Sequence, residues 1–101
     1  MADAALTLAD FQPLIGSDFT LHTGGAAPTT ARLLDARASH HPLPTRPLSA
    51  TAFSLLFEAA PEPLLPQRTY RLDHEQLGCL ELFLVPVART ATGLQYEAVF
   101  G

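Results

Sequence analysis

The sequence predicts an all-β domain: a small antiparallel β-barrel or a two-layer sandwich of about six strands, with a short N-terminal helix. Two observations carry this expectation. Six segments alternate apolar and polar side chains with period two, and clusters of Gly, Pro, Asp and Ser punctuate the chain between them. Only one segment, near the start, shows a helical period instead. The 101 residues are read as one domain, and an apolar fraction of 48% is ample for a packed core.

The helical segment is "TLADFQPLIG". Thr7 and Asp10 have the spacing of a capping box, and Leu8, Phe11, Leu14 and Ile15 fall on one face. Pro13 is tolerable only if the helix is short, and Gly16 is a natural stop. From Ser17 the period becomes two. "DFTLHT" sets Phe19 and Leu21 against Thr20 and His22, "GGAAP" turns the chain, and "TTARLLDAR" returns as the second arm of a hairpin.

"ASHHPLPTRPLSA", residues 38–50, has prolines at 42, 44 and 47 and is expected to be a surface connection. Long irregular loops are often functional, so His40, His41, Leu43, Arg46 and Leu48 form the candidate partner-binding loop.

"AFSLLFEA" follows with Phe53, Leu55 and Phe57 on one face, and "PEPLLPQ" is a second proline-rich connection. "RTYRLDH" places Tyr70 and Leu72 inward, and "HEQLG" turns the chain at Gly78, a residue able to take positive φ. In "LGCLELFLVPV", Leu80, Leu82 and Leu84 share one face while Cys79, Glu81, Phe83 and Val85 share the other. A strand so apolar on both faces is expected to be central and covered on two sides, with Pro86 ending its ladder or marking an edge. After "ARTATG", Leu94, Tyr96, Ala98 and Phe100 alternate with Gln95, Glu97 and Val99.

Charge narrows the function classes. Six arginines, no lysine and ten acidic residues give a net charge of −4, and the arginines are scattered. A nucleic-acid binder needs a basic face, so that role is disfavoured. "MADAALTLADFQPLIG" has neither the basic start nor the apolar run of a signal peptide. No stretch is long and apolar enough to span a bilayer, so no membrane association is expected and the expected location is cytoplasmic. Cys79 is the single cysteine, which rules out an intrachain disulfide.

The succession "LTLADFQPLIG", "FSLLF", "LPQRTYRLDH", "LGCLELFLVPV" and "YEAVF" resembles a family of small bacterial proteins known only as a domain of unknown function. The resemblance covers most of the chain except residues 38–50. It implies a genomic neighbourhood of phage-tail-collar-like proteins, hence an accessory or assembly role around a tail-like particle, and it implies no catalytic residues.

Residue by residue, the chemistry is sparse. His22, His40, His41 and His74 lack the HxH or HxxxH spacing of metal ligands, so no metal and no cofactor is expected. A Ser–His–Asp set can be written from Ser39 or Ser49 with His74 and Asp73, but no G-x-S-x-G elbow supports it. Cys79 has no CxxC partner, and Glu81 beside it opposes thiolate formation, which favours a small semi-buried hydrophobe. Glu81 and Glu97 invite a two-carboxylate reading, yet strand carboxylates routinely face solvent, with Arg68 or Arg71 as cross-strand partners.

The sequence therefore points to a non-enzymatic protein-interaction or assembly module. Its partner would be a protein, captured by residues 38–50 or by strand addition at a sheet edge. Homo-oligomeric assembly through apolar faces is compatible with this. The alternative is a small-molecule-binding barrel or minor enzyme whose cavity is lined by Phe53, Phe57, Tyr70, Tyr96 and Phe100.

Overall fold

Period-two alternation becomes six strands: β1 (Asp18–His22), β2 (Thr29–Ala38), β3 (Phe53–Ala59), β4 (Arg68–His74), β5 (Gly78–Arg89) and β6 (Leu94–Phe100). The computed structural model describes residues 6–25, 27–38, 53–62 and 64–100. The strands form a closed antiparallel barrel in the order β1-β2-β3-β6-β5-β4, with β4 returning to β1. Of the two expected architectures, the barrel is the one formed.

Closure follows from the inward residues. Phe19, Leu21, Leu33, Leu55, Phe57, Leu72, Leu84 and Tyr96 are almost wholly buried and form one core. A barrel of so few strands has an interior that side chains can fill. Burying each such side chain contributes about 1.5–3 kcal/mol.

The N-terminal helix α1 (Leu8–Phe11) starts at the expected capping box. The Asp10 carboxylate accepts from the Thr7 N–H at 2.8 Å and from the Thr7 hydroxyl at 3.3 Å. The helix is shorter than its apolar pattern implies, because Pro13 directs the chain into a 3-10 turn over Gln12–Leu14. Ile15, expected on the buried face, leaves that turn in extended geometry and is 43% exposed. The Gly16 N–H then donates to the Leu33 carbonyl at 2.7 Å, tying the segment to β2.

Helix α1 closes one end of the barrel. Phe53 and Phe100 are paired across β3 and β6 and stack at 4.4 Å. Phe11 packs on both rings, at 5.9 and 5.6 Å. At the opposite end, the buried Leu65 N–H donates to Tyr96 Oη at 3.0 Å, and Tyr70 Oη donates to the Pro66 carbonyl at 2.6 Å. Burial raises the Tyr70 phenol above its ordinary range. Gly93 is required here by close approach, since a Cβ on it would run into the Ala59 carbonyl oxygen. Gly78, at the β4–β5 turn, has φ +78°, as its position predicts.

Three expectations for β5 and its neighbours are corrected. First, β5 is covered on one face only. Leu80, Leu82 and Leu84 are buried, but Phe83 is 49% exposed on the barrel exterior and Cys79 is exposed as well. An antiparallel strand between two neighbours in a single-layer barrel keeps a solvent face even when its sequence is apolar on both. Second, Pro86 does not end the strand. The β5–β6 ladder continues to Arg89 through an irregularity between Pro86 and Ala88, the kind of site where a missing N–H is tolerated. Third, closure pairs each strand on two sides, so the open sheet edge imagined for strand addition is not formed.

Candidate functional site

Polar chemistry collects where β1 meets β4, and period-two geometry decides how it is arranged. Asp73 and His74 are adjacent on β4, so they point to opposite faces of the barrel wall. They cannot serve one Ser–His–Asp constellation. Asp73 goes outward and accepts from His22 Nε2 at 2.6 Å, with Arg71 Nε at 3.6 Å on its other oxygen. The His22 hydrogen bond and the Arg71 charge hold the Asp73 carboxyl below its ordinary value, against a smaller opposing effect of burial.

His74 turns inward and is 7% exposed, the one buried residue with a polar side chain besides the tyrosines among the described residues. Its Nδ1 accepts from the Gln76 N–H at 3.0 Å, and its Nε2 lies 3.1 Å from Ser17 Oγ. The Ser17 hydroxyl donates to the Leu14 carbonyl at 2.5 Å. With its own proton committed, Ser17 Oγ can only accept, so His74 Nε2 carries the proton and donates. That polarity is the reverse of a general base activating a serine. Phe19 covers the ring at 4.5 Å. The Ser17–His74 pair is a structural clamp joining the end of the N-terminal segment to β4.

An open depression of about 440 Å³ lies over this junction, lined by Ser17, Asp18, Thr20, Asp73, His74 and Glu75. A second, of about 390 Å³, adjoins it beside His22, Arg68, Arg71 and Glu81. Among the described residues, no group of three His, Cys, Asp or Glu side chains is placed to hold a metal ion.

The remaining sequence candidates fall as follows. His40, His41, Leu43, Arg46 and Leu48, together with Ser39 and Ser49, lie outside the described residues. Glu97 pairs with Val85, four strand positions from Glu81. That puts the two carboxylates roughly 13 Å apart along the wall, too far to share a glycosidic bond. Arg68, expected as a carboxylate partner, instead donates to the Thr23 carbonyl at 3.0 Å and lies 5.0 Å over the Tyr70 ring. Arg71 stands opposite Glu81 in the ladder but makes its ion pair with Asp73. The aromatics proposed to line a cavity face one another or bond to the backbone: Phe57 on Phe19 at 5.3 Å, Phe53 on Phe100, and both tyrosines on loop groups.

Sequence reasoning missed two features. The burial of His74 has no local signal, since it depends on Ser17 arriving from 57 residues away. The second is a difference in character between the two sides of the barrel. On the exterior of β3, β6 and β5, Phe83 and Val99 are 49% and 64% exposed, with Leu56 and Val85 half-buried beside them. No helix among the described residues is long and apolar enough to cross a membrane.

Comparison with known proteins places this chain in a family. The chain belongs to the family described as a domain of unknown function, DUF6916, whose model matches residues 6–100. No curated protein and no solved structure matches it.

Proposed function

Starting from membership of a family with no assigned function, we propose that the protein is a non-enzymatic interaction module that acts in assembly, as an accessory to a phage-tail-like structure. The observation that carries this reading is the distribution of its polar and apolar groups. The Ser17–His74 pair is committed to backbone carbonyl and amide groups and holds the barrel together. The barrel's aromatics pack against one another, whereas large apolar side chains remain on one outer wall. An exposed apolar patch on a small domain is a feature of surfaces that meet other proteins. The tail-like setting rests on the resemblance of the strand motifs to proteins encoded beside tail-collar-like genes.

Affinity capture of the tagged protein from its own host, at native level and under mild crosslinking, tests the reading. A stoichiometric tail-like structural protein is the expected result. Recovery of the protein with a bound small molecule and no protein partner overturns it in favour of a ligand-binding barrel.

A further inference from the structure

Charge is divided between the two sides of the barrel as unevenly as apolar surface is. On β1, β2 and β4 each outward aspartate has an arginine: Asp18 has Arg32 at 3.2 Å, Asp35 has Arg37, and Asp73 has Arg71 at 3.6 Å as well as His22. On β3, β6 and β5 the outward positions carry Glu58, Glu97 and Glu81 and no arginine. Arg89, at the end of β5, pairs with buried Leu94 and so lies on the other face of the strand.

Of the three glutamates, Glu58 accepts from the Thr90 and Thr92 hydroxyls at 3.0 and 3.1 Å. Glu81 and Glu97 have no hydrogen bond or ion pair to any described residue. Arg71 stands opposite Glu81 in the ladder, but its guanidinium is turned to Asp73. Glu97 has Leu56 and Val85 as cross-strand neighbours and is half-buried beside them. The two carboxylates bracket the apolar patch. Phe83 lies two positions from Glu81 along β5, Val85 lies opposite Glu97, and Val99 follows two positions along β6.

We propose that the outer face of β3, β6 and β5 docks a basic protein partner, one that sets apolar side chains on Phe83, Val85 and Val99 and an arginine or lysine against each of Glu81 and Glu97. The proposal rests on the interaction-module reading above and names the chemistry of the partner at that surface. Charge decides among the occupants. A second copy brings the same two carboxylates and no cation to meet them, so like charges would face each other. Nucleic acid and an anionic membrane surface are repelled for the same reason. A neutral apolar surface would strip water from the half-buried Glu97 and give it no partner in exchange. A cationic partner satisfies both carboxylates and covers the exposed apolar area in one contact.

An NMR titration of the isotope-labelled chain with two synthetic peptides tests the proposal. One peptide alternates leucine with lysine, the other leucine with glutamate. The lysine peptide is expected to shift the amides around Leu56, Phe83, Val85 and Val99, and the glutamate peptide to leave them in place. Glu81→Gln and Glu97→Gln in one chain should weaken binding of the lysine peptide at least about tenfold. Asp18→Asn and Asp35→Asn in one chain remove the same charge from the opposite wall, and should leave the affinity within about twofold of wild type. A lysine peptide that does not bind overturns the proposal, as do shifts spread over both walls or equal weakening by the two double variants. Dimerisation of the chain in sedimentation velocity that Phe83→Ser abolishes would overturn it in favour of a second copy. A tail-like protein captured equally well by the wild-type chain and by the Glu81→Gln, Glu97→Gln chain would sink the basic-partner chemistry while leaving the assembly reading in place.

Discussion

The two sides of the barrel share one core and differ in what they turn toward water. On the exterior of β1, β2 and β4, ionic side chains find partners within the wall: Asp18 with Arg32, Asp35 with Arg37, and His22 with Asp73 and Arg71. On the exterior of β3, β6 and β5, Phe83 and Val99 lie exposed around a Glu97 that has no partner among the described residues. Exposed ion pairs add little stability, so the first wall gains mainly solubility and a register fixed by charge. The second wall leaves apolar area in water that nothing within the described chain covers. Interior packing explains the fold, and the contrast between exteriors is the observation on which the proposed assembly role rests.

If the walls differ only on the outside, their interiors should respond alike. Phe57→Ala beneath the apolar wall is expected to cost about 3–5 kcal/mol, and Leu72→Ala beneath the polar wall about 2–5 kcal/mol. Chemical denaturation at dilute concentration measures both, and a loss below about 1 kcal/mol at either site would show that its wall is not packed as described. Next in size is the clamp at the junction of the two walls. Ser17→Ala leaves the buried His74 Nε2–H without an acceptor and should cost about 1–3 kcal/mol. A Ser17→Ala chain as stable as wild type would show that the packing of Phe11 and the backbone bonds to Leu33 hold the N-terminal segment without the clamp.

The smallest effect concerns the polar wall. Because Asp73 is held below its ordinary 3.8, the unfolded chain takes up a proton before the folded chain does. Its contribution is complete above that ordinary value and is lost as pH falls through the lowered one. Asp35, lowered chiefly by the Arg37 hydrogen bond, acts in the same direction. Stability measured from pH 5 down to pH 2 should therefore fall less steeply in Asp73→Asn than in the wild-type chain. Equal slopes would show that the His22–Asp73 bond persists equally in the unfolded chain, or does not form.

Local sequence carried the elements but not their exteriors. The inward sets Phe19/Leu21, Tyr70/Leu72 and Leu80/Leu82/Leu84 were legible because strand periodicity is a property of neighbouring residues. Beyond the β1–β2 hairpin, which strands face each other was not legible. Barrel closure depends on Thr20, Leu21 and His22 finding Asp73, Leu72 and Arg71, a pairing that no local pattern encodes. Phe83 and Cys79 were expected under cover because an apolar strand reads the same whether one face is buried or both. The isolation of Glu97 appears only once register sets Leu56 and Val85 beside it. The expected partner loop, with His40, His41, Leu43, Arg46 and Leu48, lies outside the described residues.

The ladder that closes the barrel is three pairs long and joins residues some fifty positions apart. Contacts of such sequence separation carry the largest loop-closure cost, so this seam is expected to form last and to limit the rate of folding. It is also the shortest route by which the native chain opens. Releasing β1 from β4 exposes a strand edge on each, and another molecule's β1 fits the vacated place on β4 as well as the original does. At high concentration or after partial denaturation, exchange of this first strand between chains is the error the architecture is expected to make. Its signature is slow, concentration-dependent amide protection in β1 that lags the rest of the barrel.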